Sequence, residues 1–237
     1  MFDSKYSNLL TAILVIIIIA IIGLLIFWGI DTYTKYYITK EASDAVDKFE
    51  DEVKNNINNN TTNIITNEIT GNENLIDQNL INGVTTNGSG GNNSGNANTD
   101  NKKYYKGFVM KGTIKIPETG LECPVLENAG KKAIEVAVGI QYPTGADLNQ
   151  KGNVIIAGHN YRNNMFFSNN KKLEIGDKIY ITDLTGQTLS YTIYNKYETT
   201  PEDTSYMTRD IGDNIEISLT TCTDDNSKRL IIWARAD

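Results

Sequence analysis

Apolar residues crowd one stretch near the N-terminus and are spaced out everywhere else. Leu9–Ile30 holds 22 residues without a charge, about 33 Å of helix against a hydrocarbon core of about 30 Å. That run is longer than the apolar stretch of about 7–15 residues in a cleavable signal peptide, and no small-residue cleavage site follows; the next residues are Asp31-Thr32-Tyr33-Thr34. The pattern predicts an uncleaved transmembrane signal anchor over residues 9–30, behind a short tail of residues 1–8. Trp28, Tyr33, Tyr36 and Tyr37 cluster at its outer end, where amphipathic rings favour the headgroup zone. Lys5 lies before the span, and Lys35 and Lys40 lie just after it. The balance of basic residues therefore leaves the orientation open.

After the span the apolar positions thin to a stripe. Ala45, Phe49, Val53 and Ile57 stand four apart, the spacing of a short helix between Glu41 and Asn58. From Asn55 to Asn101, 17 of 47 residues are Asn, and no aromatic residue occurs between Phe49 and Tyr104. Such a tract buries too little apolar surface to offset its ordering entropy. Residues 31–103 thus read as a juxtamembrane helix followed by an Asn-rich flexible linker, whose last 45 residues would span about 35–40 Å as a coil. A tether that gives a surface domain reach and a plain low-complexity insertion both fit this composition.

At residue 104 the pattern changes to short alternating runs. Phe108–Ile116, Leu121–Leu126, Asn153–Ala157, Lys178–Thr182, Thr188–Tyr197, Ile215–Thr221 and Arg229–Ala234 read as strands. Turn signals separate them: Pro117-Glu118-Thr119-Gly120, Gly176-Asp177, Leu184-Thr185-Gly186 and Asp224-Asp225-Asn226-Ser227. Lys131–Val138 and Asn163–Asn170 read as short helices. Residues 104–237 form one mainly β domain, a barrel or sandwich rather than a parallel α/β sheet.

Charge and composition remove several functions. With 22 Lys+Arg, 29 Asp+Glu and a net charge of −7, the chain has no basic block to neutralise phosphates, which excludes a nucleic-acid binder. One His and two Cys do not make a four-ligand zinc site. Glu118, Glu122 and Asp177 are too generic to define a calcium site, and no cofactor or metal is expected.

The scarce reactive residues fall at strand ends. His159 stands in Ala157-Gly158-His159-Asn160, directly after a strand and so at the rim of the domain. Cys222 ends one strand and Arg229 begins the next, with a six-residue turn-rich loop between them. A hairpin would set the two side by side, a guanidinium beside a thiol and suited to hold an oxyanion. Cys with His points to nucleophilic thiol chemistry. Three other readings remain: Cys222 as an inert buried thiol, a Cys123–Cys222 disulfide in a non-enzymatic anchored binding domain, and Arg229 as a strand cap. Arg235 lies six residues beyond Arg229, about 20 Å along a strand, too far to share the rim. Thr220 shares the face of Cys222, while Thr221 points to the opposite one.

These residues resemble a family. Gly158-His159-Asn160, Ser218-Leu219-Thr220-Thr221-Cys222 and Arg229 are similar to the three signature segments of the sortases, membrane-bound cysteine transpeptidases of Gram-positive bacteria. Ser218 replaces the Thr that usually opens the second segment. The resemblance covers residues 107–236 and includes Gly152-Asn153, Phe167, Gly176-Asp177 and Pro201. It implies a closed eight-stranded β-barrel with one or two short helices. It also implies an LPXTG-like sorting signal cut between Thr and Gly, and acyl transfer through a Cys222 thioester to a cell-wall precursor amine. Arg229 would steady the carbonyl and oxyanion, and His159 as imidazolium would protonate the leaving amine. Thr220 and Pro201 would contact substrate. The implied partners are secreted proteins bearing that signal, a peptidoglycan precursor amine and the membrane itself. The implied location is a single-pass membrane protein with a cytoplasmic N-terminus and an extracellular barrel. Without an Asp-Pro-aromatic lid or a second span, a housekeeping or accessory anchoring enzyme fits better than a pilin-polymerising one. An extracellular cysteine peptidase acting on cell-wall peptides is the rival enzyme, though such peptidases commonly place Cys before His.

Overall fold

The computed structural model describes residues 4–69, 102–141 and 146–237. The first residues of the tail and, over residues 70–101, the expected flexible linker lie outside the described residues.

Helix α1 runs unbroken from Ser4 to Ile69. Its apolar part is not buried against the rest of the protein and is long and apolar enough to cross a membrane. Inside hydrocarbon a helix would satisfy every backbone group, a demand that would override the strand preference of an Ile-rich run. Beyond Glu41 the helix becomes one-sided. Ala42, Val46, Phe49 and Val53 are buried, three or four residues apart and hence on one face. The stripe expected at Ala45, Phe49, Val53 and Ile57 is shifted slightly, for Ala45 is half-buried and Ile57 is exposed. Burying Val46, Phe49 and Val53 contributes about 1.5–3 kcal/mol each. Glu41 pairs with Lys106 at 2.8 Å, Glu50 with Lys115 at 3.1 Å, and Ser43 donates to Glu122 at 2.5 Å. Each such contact is weak at the surface, but together they fix the rotation of α1 on the barrel.

Among the described residues nine strands follow: β1 (Lys103–Tyr105), β2 (Phe108–Ile116), β3 (Leu121–Leu126), β4 (Val138–Ile140), β5 (Gly152–Ala157), β6 (Lys178–Asp183), β7 (Thr188–Thr199), β8 (Ile215–Cys222) and β9 (Arg229–Ala236). Their order is β1-β2-β3-β4-β5-β8-β9-β7-β6, and β6 pairs back onto β2. Strands β2 to β9 therefore close an eight-stranded ring, and β1 adds to its edge. The β3–β4 and β5–β8 pairs are parallel and the others antiparallel. Closure between β2 and β6 needs a residue without a side chain. A Cβ at Gly112 would lie 2.2 Å from the Thr182 carbonyl oxygen. Ile114, Val125, Ile156, Ile181, Tyr191 and Ile193 belong to the interior cluster.

Two local expectations change. Lys131–Val138 forms turns, closed by Ala133 N–H donating to Gly130 O at 2.8 Å and Ala137 N–H to Ala133 O at 3.2 Å; the segment then enters β4. Ala133 and Ala137 are buried four apart, which imitates a helical stripe, but so short a segment does not repay helix nucleation. Asn163–Asn170 gives way to a 3₁₀ helix at Phe167–Lys172, because Arg162, Asn164 and Phe166 take left-handed backbone angles (φ 59°, 71° and 48°) that break any earlier helical turn.

Candidate active site

Strand β8 alternates. Ile217 and Leu219 enter the interior cluster, which turns Glu216, Ser218, Thr220 and Cys222 to the outer face. On β9 the interior takes Leu230, Ile232 and Ala234, leaving Arg229, Ile231 and Trp233 on that same outer face. The β8–β9 ladder pairs Cys222 with Arg229. Both side chains are half-buried, and both stand on one face of the last rung, as a hairpin requires. The loop between them is tightly closed: Thr223 N–H donates to Lys228 O at 3.1 Å, and Asp225 accepts from Ser227 N–H at 3.0 Å and Thr223 Oγ1 at 2.6 Å. Those hydrogen bonds hold the Asp225 carboxyl below the usual carboxylate range. The Arg229 guanidinium donates to Lys228 O at 3.3 Å and makes no ion pair among the described residues.

His159 arrives from a different part of the chain. β5 lies parallel to β8 with Ala157 opposite Thr220, so the residues after Ala157 run alongside the Cys222 end. Gly158 N–H donates to Thr220 O at 3.2 Å, and Thr221 Oγ1 donates to Gly158 O at 2.8 Å. Asn160 Nδ2 donates to Cys222 O at 3.0 Å and to Asp224 Oδ1 at 2.9 Å. The neighbours of His159 on both sides are thus bonded to the Cys222 strand and loop. The imidazole packs on Tyr161, ring centres 4.9 Å apart, and Tyr161 packs on Phe166 at 6.0 Å. Desolvation lowers the affinity of His159 for its proton, opposed by the nearby Glu135 carboxylate. The neutral form therefore dominates at pH 7. A proton NMR titration of this single imidazole is expected to give a midpoint below 6.5, and Glu135→Gln moves it lower still. Because the folded chain holds this proton more weakly than the unfolded one, the associated stability is complete above pH 6.5 and declines as pH falls below it.

Asp224 joins the two loops from the other side. It pairs with Lys171 at 2.6 Å, and its backbone oxygen accepts from Arg162 Nε. In sequence Asp224 reads only as a turn residue; no local pattern announces partners 53 and 62 residues away. Glycine at 158 is equally specific. An added Cβ would meet Val138 Cγ1 at 2.8 Å and the Phe167 ring at 2.9 Å, both fully buried. Gly158→Ala is expected to cost about 1–3 kcal/mol by overpacking and to reduce turnover by displacing His159. Denaturation midpoints and steady-state rates check both parts.

A cleft of about 420 Å³ reaches Cys222 from the barrel mouth, lined also by Thr221, Lys171, Lys196, Glu198 and Lys228. His159 and Arg229 are not in its lining; Arg229 stands beside Cys222 on the outer face, and bonds from Gly158 and Asn160 bring the His159 segment to the same strand end. Thr220 is buried on the outer face beneath Cys222, outside that cleft. Pro201 is exposed at the start of the β7–β8 connection, which lays Tyr206 and Met207 over Ile155, Ile231, Tyr197 and Trp233. Both cysteines are free, which corrects the Cys123–Cys222 disulfide alternative. Cys123 sits in the interior cluster, and burial pushes its thiol up to about 12. Among the described residues no cluster of His, Cys, Asp and Glu could hold a metal ion.

The family model for the sortase domain matches residues 114–237. A sortase D5 transpeptidase of Clostridium perfringens is 32% identical, over 54% of this chain and 79% of that one, with a TM-score of 0.49. Sortase A of Corynebacterium diphtheriae is 29% identical, over 55% and 61%, also at 0.49. Sortase C-1 of Actinomyces oris is 25% identical, over 53% and 73%, at 0.48. No curated protein sequence matches the chain.

Proposed function

The chain belongs to the sortase family, and on that premise we propose that it is a membrane-anchored cysteine transpeptidase with Cys222 as nucleophile, His159 as proton carrier and Arg229 as oxyanion support. The observation that carries this reading is the pairing of Cys222 with Arg229 on one rung while bonds from Gly158 and Asn160 hold His159 against the same strand end. In the first step the Cys222 sulfur attacks the Thr–Gly carbonyl of an LPXTG-like signal, and His159 takes the thiol proton. The mainly neutral resting imidazole suits that role. Arg229, with no acidic partner among the described residues to neutralise it, faces the oxyanion of the tetrahedral intermediate. Collapse breaks the C–N bond, His159 protonates the leaving amine, and a thioester remains. A cell-wall amine then attacks the thioester, gives up its proton to His159 and regenerates the thiol. Thr220 and the Pro201 connection lie on the outer face below Cys222, the side from which the residues preceding the scissile bond would approach. The apolar part of α1 anchors the protein, with the barrel outside the cell and sorting-signal proteins as partners.

The test incubates the detergent-solubilised full chain with an LPXTG-type peptide, with and without a primary amine. Amide exchange at Thr that needs the amine supports the reading. Cleavage at other bonds, or cleavage indifferent to the amine, overturns it in favour of a peptidase.

A further inference from the structure

We infer that α1 is a rigid spacer that turns the catalytic rim of the barrel toward the bilayer and holds it at a set height. This rests on the reading of Leu9–Ile30 as the membrane span. The helix is continuous from that span into the stripe docked on the barrel, and all four prolines lie beyond it, at 117, 124, 143 and 201. Eight residues separate Ile30 from Ile38, a rise of about 12 Å. At that level Ile38, Thr39 and Ala42 share a small pocket with Leu121, Met165 and Phe166. Met165 and Phe166 belong to the loop that follows His159, and Phe166 reaches His159 through the Tyr161 ring.

Further along α1, about 22 Å above Ile38, Val53 and Ile57 meet Gly186 in the β6–β7 turn. That turn belongs to the opposite rim. Thr199, at the far end of β7, pairs with Arg229, which pairs with Cys222, whereas β7 starts at Thr188 beside the turn. The barrel axis therefore runs along α1, with the Cys222 end toward the span. Between span and rim lie the exposed rings of Tyr33, Tyr36 and Tyr37, placed for the headgroup zone. The site faces a lipid surface, and the bond it cuts is met at a defined distance from that surface. A substrate held in the same bilayer is presented at that height; a free peptide reaches the site from any direction.

The test uses the full chain in lipid vesicles. Seven helix-forming residues inserted after Asp31 raise the barrel by about 10 Å while nearly conserving its rotation, because seven residues make close to two turns. Two substrates carry the same LPXTG-type motif, one as a soluble peptide and one joined by a short spacer to its own apolar membrane segment. The insertion is expected to leave soluble-peptide conversion within about twofold and to slow the tethered substrate by about tenfold or more, since the height of the motif no longer matches the rim. Lengthening the substrate's spacer restores the rate. Equal effects on both substrates overturn the proposal. A second measurement needs no activity, so that failure of the transpeptidase reading remains distinguishable. A dye on Cys222 is expected to transfer energy to headgroup acceptors more strongly than a dye on Leu184→Cys in a Cys222→Ala background. The reverse order overturns the orientation, whatever the chemistry.

Discussion

Cys222→Ala is expected to abolish acyl transfer, a fall of about a thousandfold or more, because removing the nucleophile removes the thioester and with it both halves of the reaction. The loss should come without unfolding. Cys222 sits half-buried at the end of β8, and the β8–β9 ladder pairs through its backbone. Two readouts separate chemistry from structure. Intact mass after incubation with the LPXTG-type peptide should show an acyl adduct on the wild type and none on the variant, while the melting temperature of the two agrees. Alkylation under native conditions should modify one thiol, since Cys123 is fully buried with its thiol pushed up to about 12. A variant that keeps turning over would remove Cys222 from the mechanism altogether.

The largest expected loss of stability lies at the other end of the same strand. Glu216 is buried at the start of β8, its carboxylate taking Arg209 at 2.5 Å, Arg235 at 2.8 Å and the Tyr194 hydroxyl at 2.6 Å. Arg209 also lies over the Trp233 ring at 4.4 Å and donates to Asn153 at 3.2 Å. Glu216→Ala strands the buried Arg209 guanidinium without its counter-charge, which costs about 3–5 kcal/mol, while the half-exposed Arg235 adds little because solvent screens it. Glu216→Gln, which keeps the shape, should cost less. Desolvation pushes the Glu216 carboxyl up, but hydrogen bonds from Tyr194, Arg235 and Arg209 together prevail and hold it below 4.5. Its contribution is therefore complete above pH 4.5 and is lost as pH falls through the lowered value. Urea midpoints measured from neutral pH down to about pH 2, below the lowered value, check this. The midpoint of Glu216→Ala should approach that of the wild type at the acid end, and a constant gap at every pH would refute the account.

The long strands were legible because each is an alternating run bounded by Gly, Pro or Asx turns; Phe108–Ile116 and Leu121–Leu126 keep their expected bounds, and the other five are longer by a residue or two. β1 and β4, three residues each, are too short for a periodic signal. The Cys222–Arg229 rung was legible because a hairpin is a local object. The approach of the His159 segment to the Cys222 strand end was not, since β5 and β8 are separated along the chain by β6 and β7 and no local signal pairs strands so far apart. Glu216 was hidden for a related reason. Between Ile215 and Ile217 it reads as an ordinary outward residue, and only the β7–β8 connection, with Arg209, buries it. The docking of α1 was half visible, as a stripe whose partner surface lay in another segment.

The parallel β5–β8 pair also sets when the enzyme comes into being. Gly158 and Thr221, 63 residues apart, meet only when β8 slots between β5 and β9 in the middle of the sheet. Contacts so distant along the chain form late, after loop closure has been paid for. Among the nine described strands, β8 and β9 are also the last made. A nascent chain therefore carries its thiol and its imidazole far apart until the ring is complete. On the proposed mechanism the unfinished barrel is inert, so the timing of activity is written into strand order.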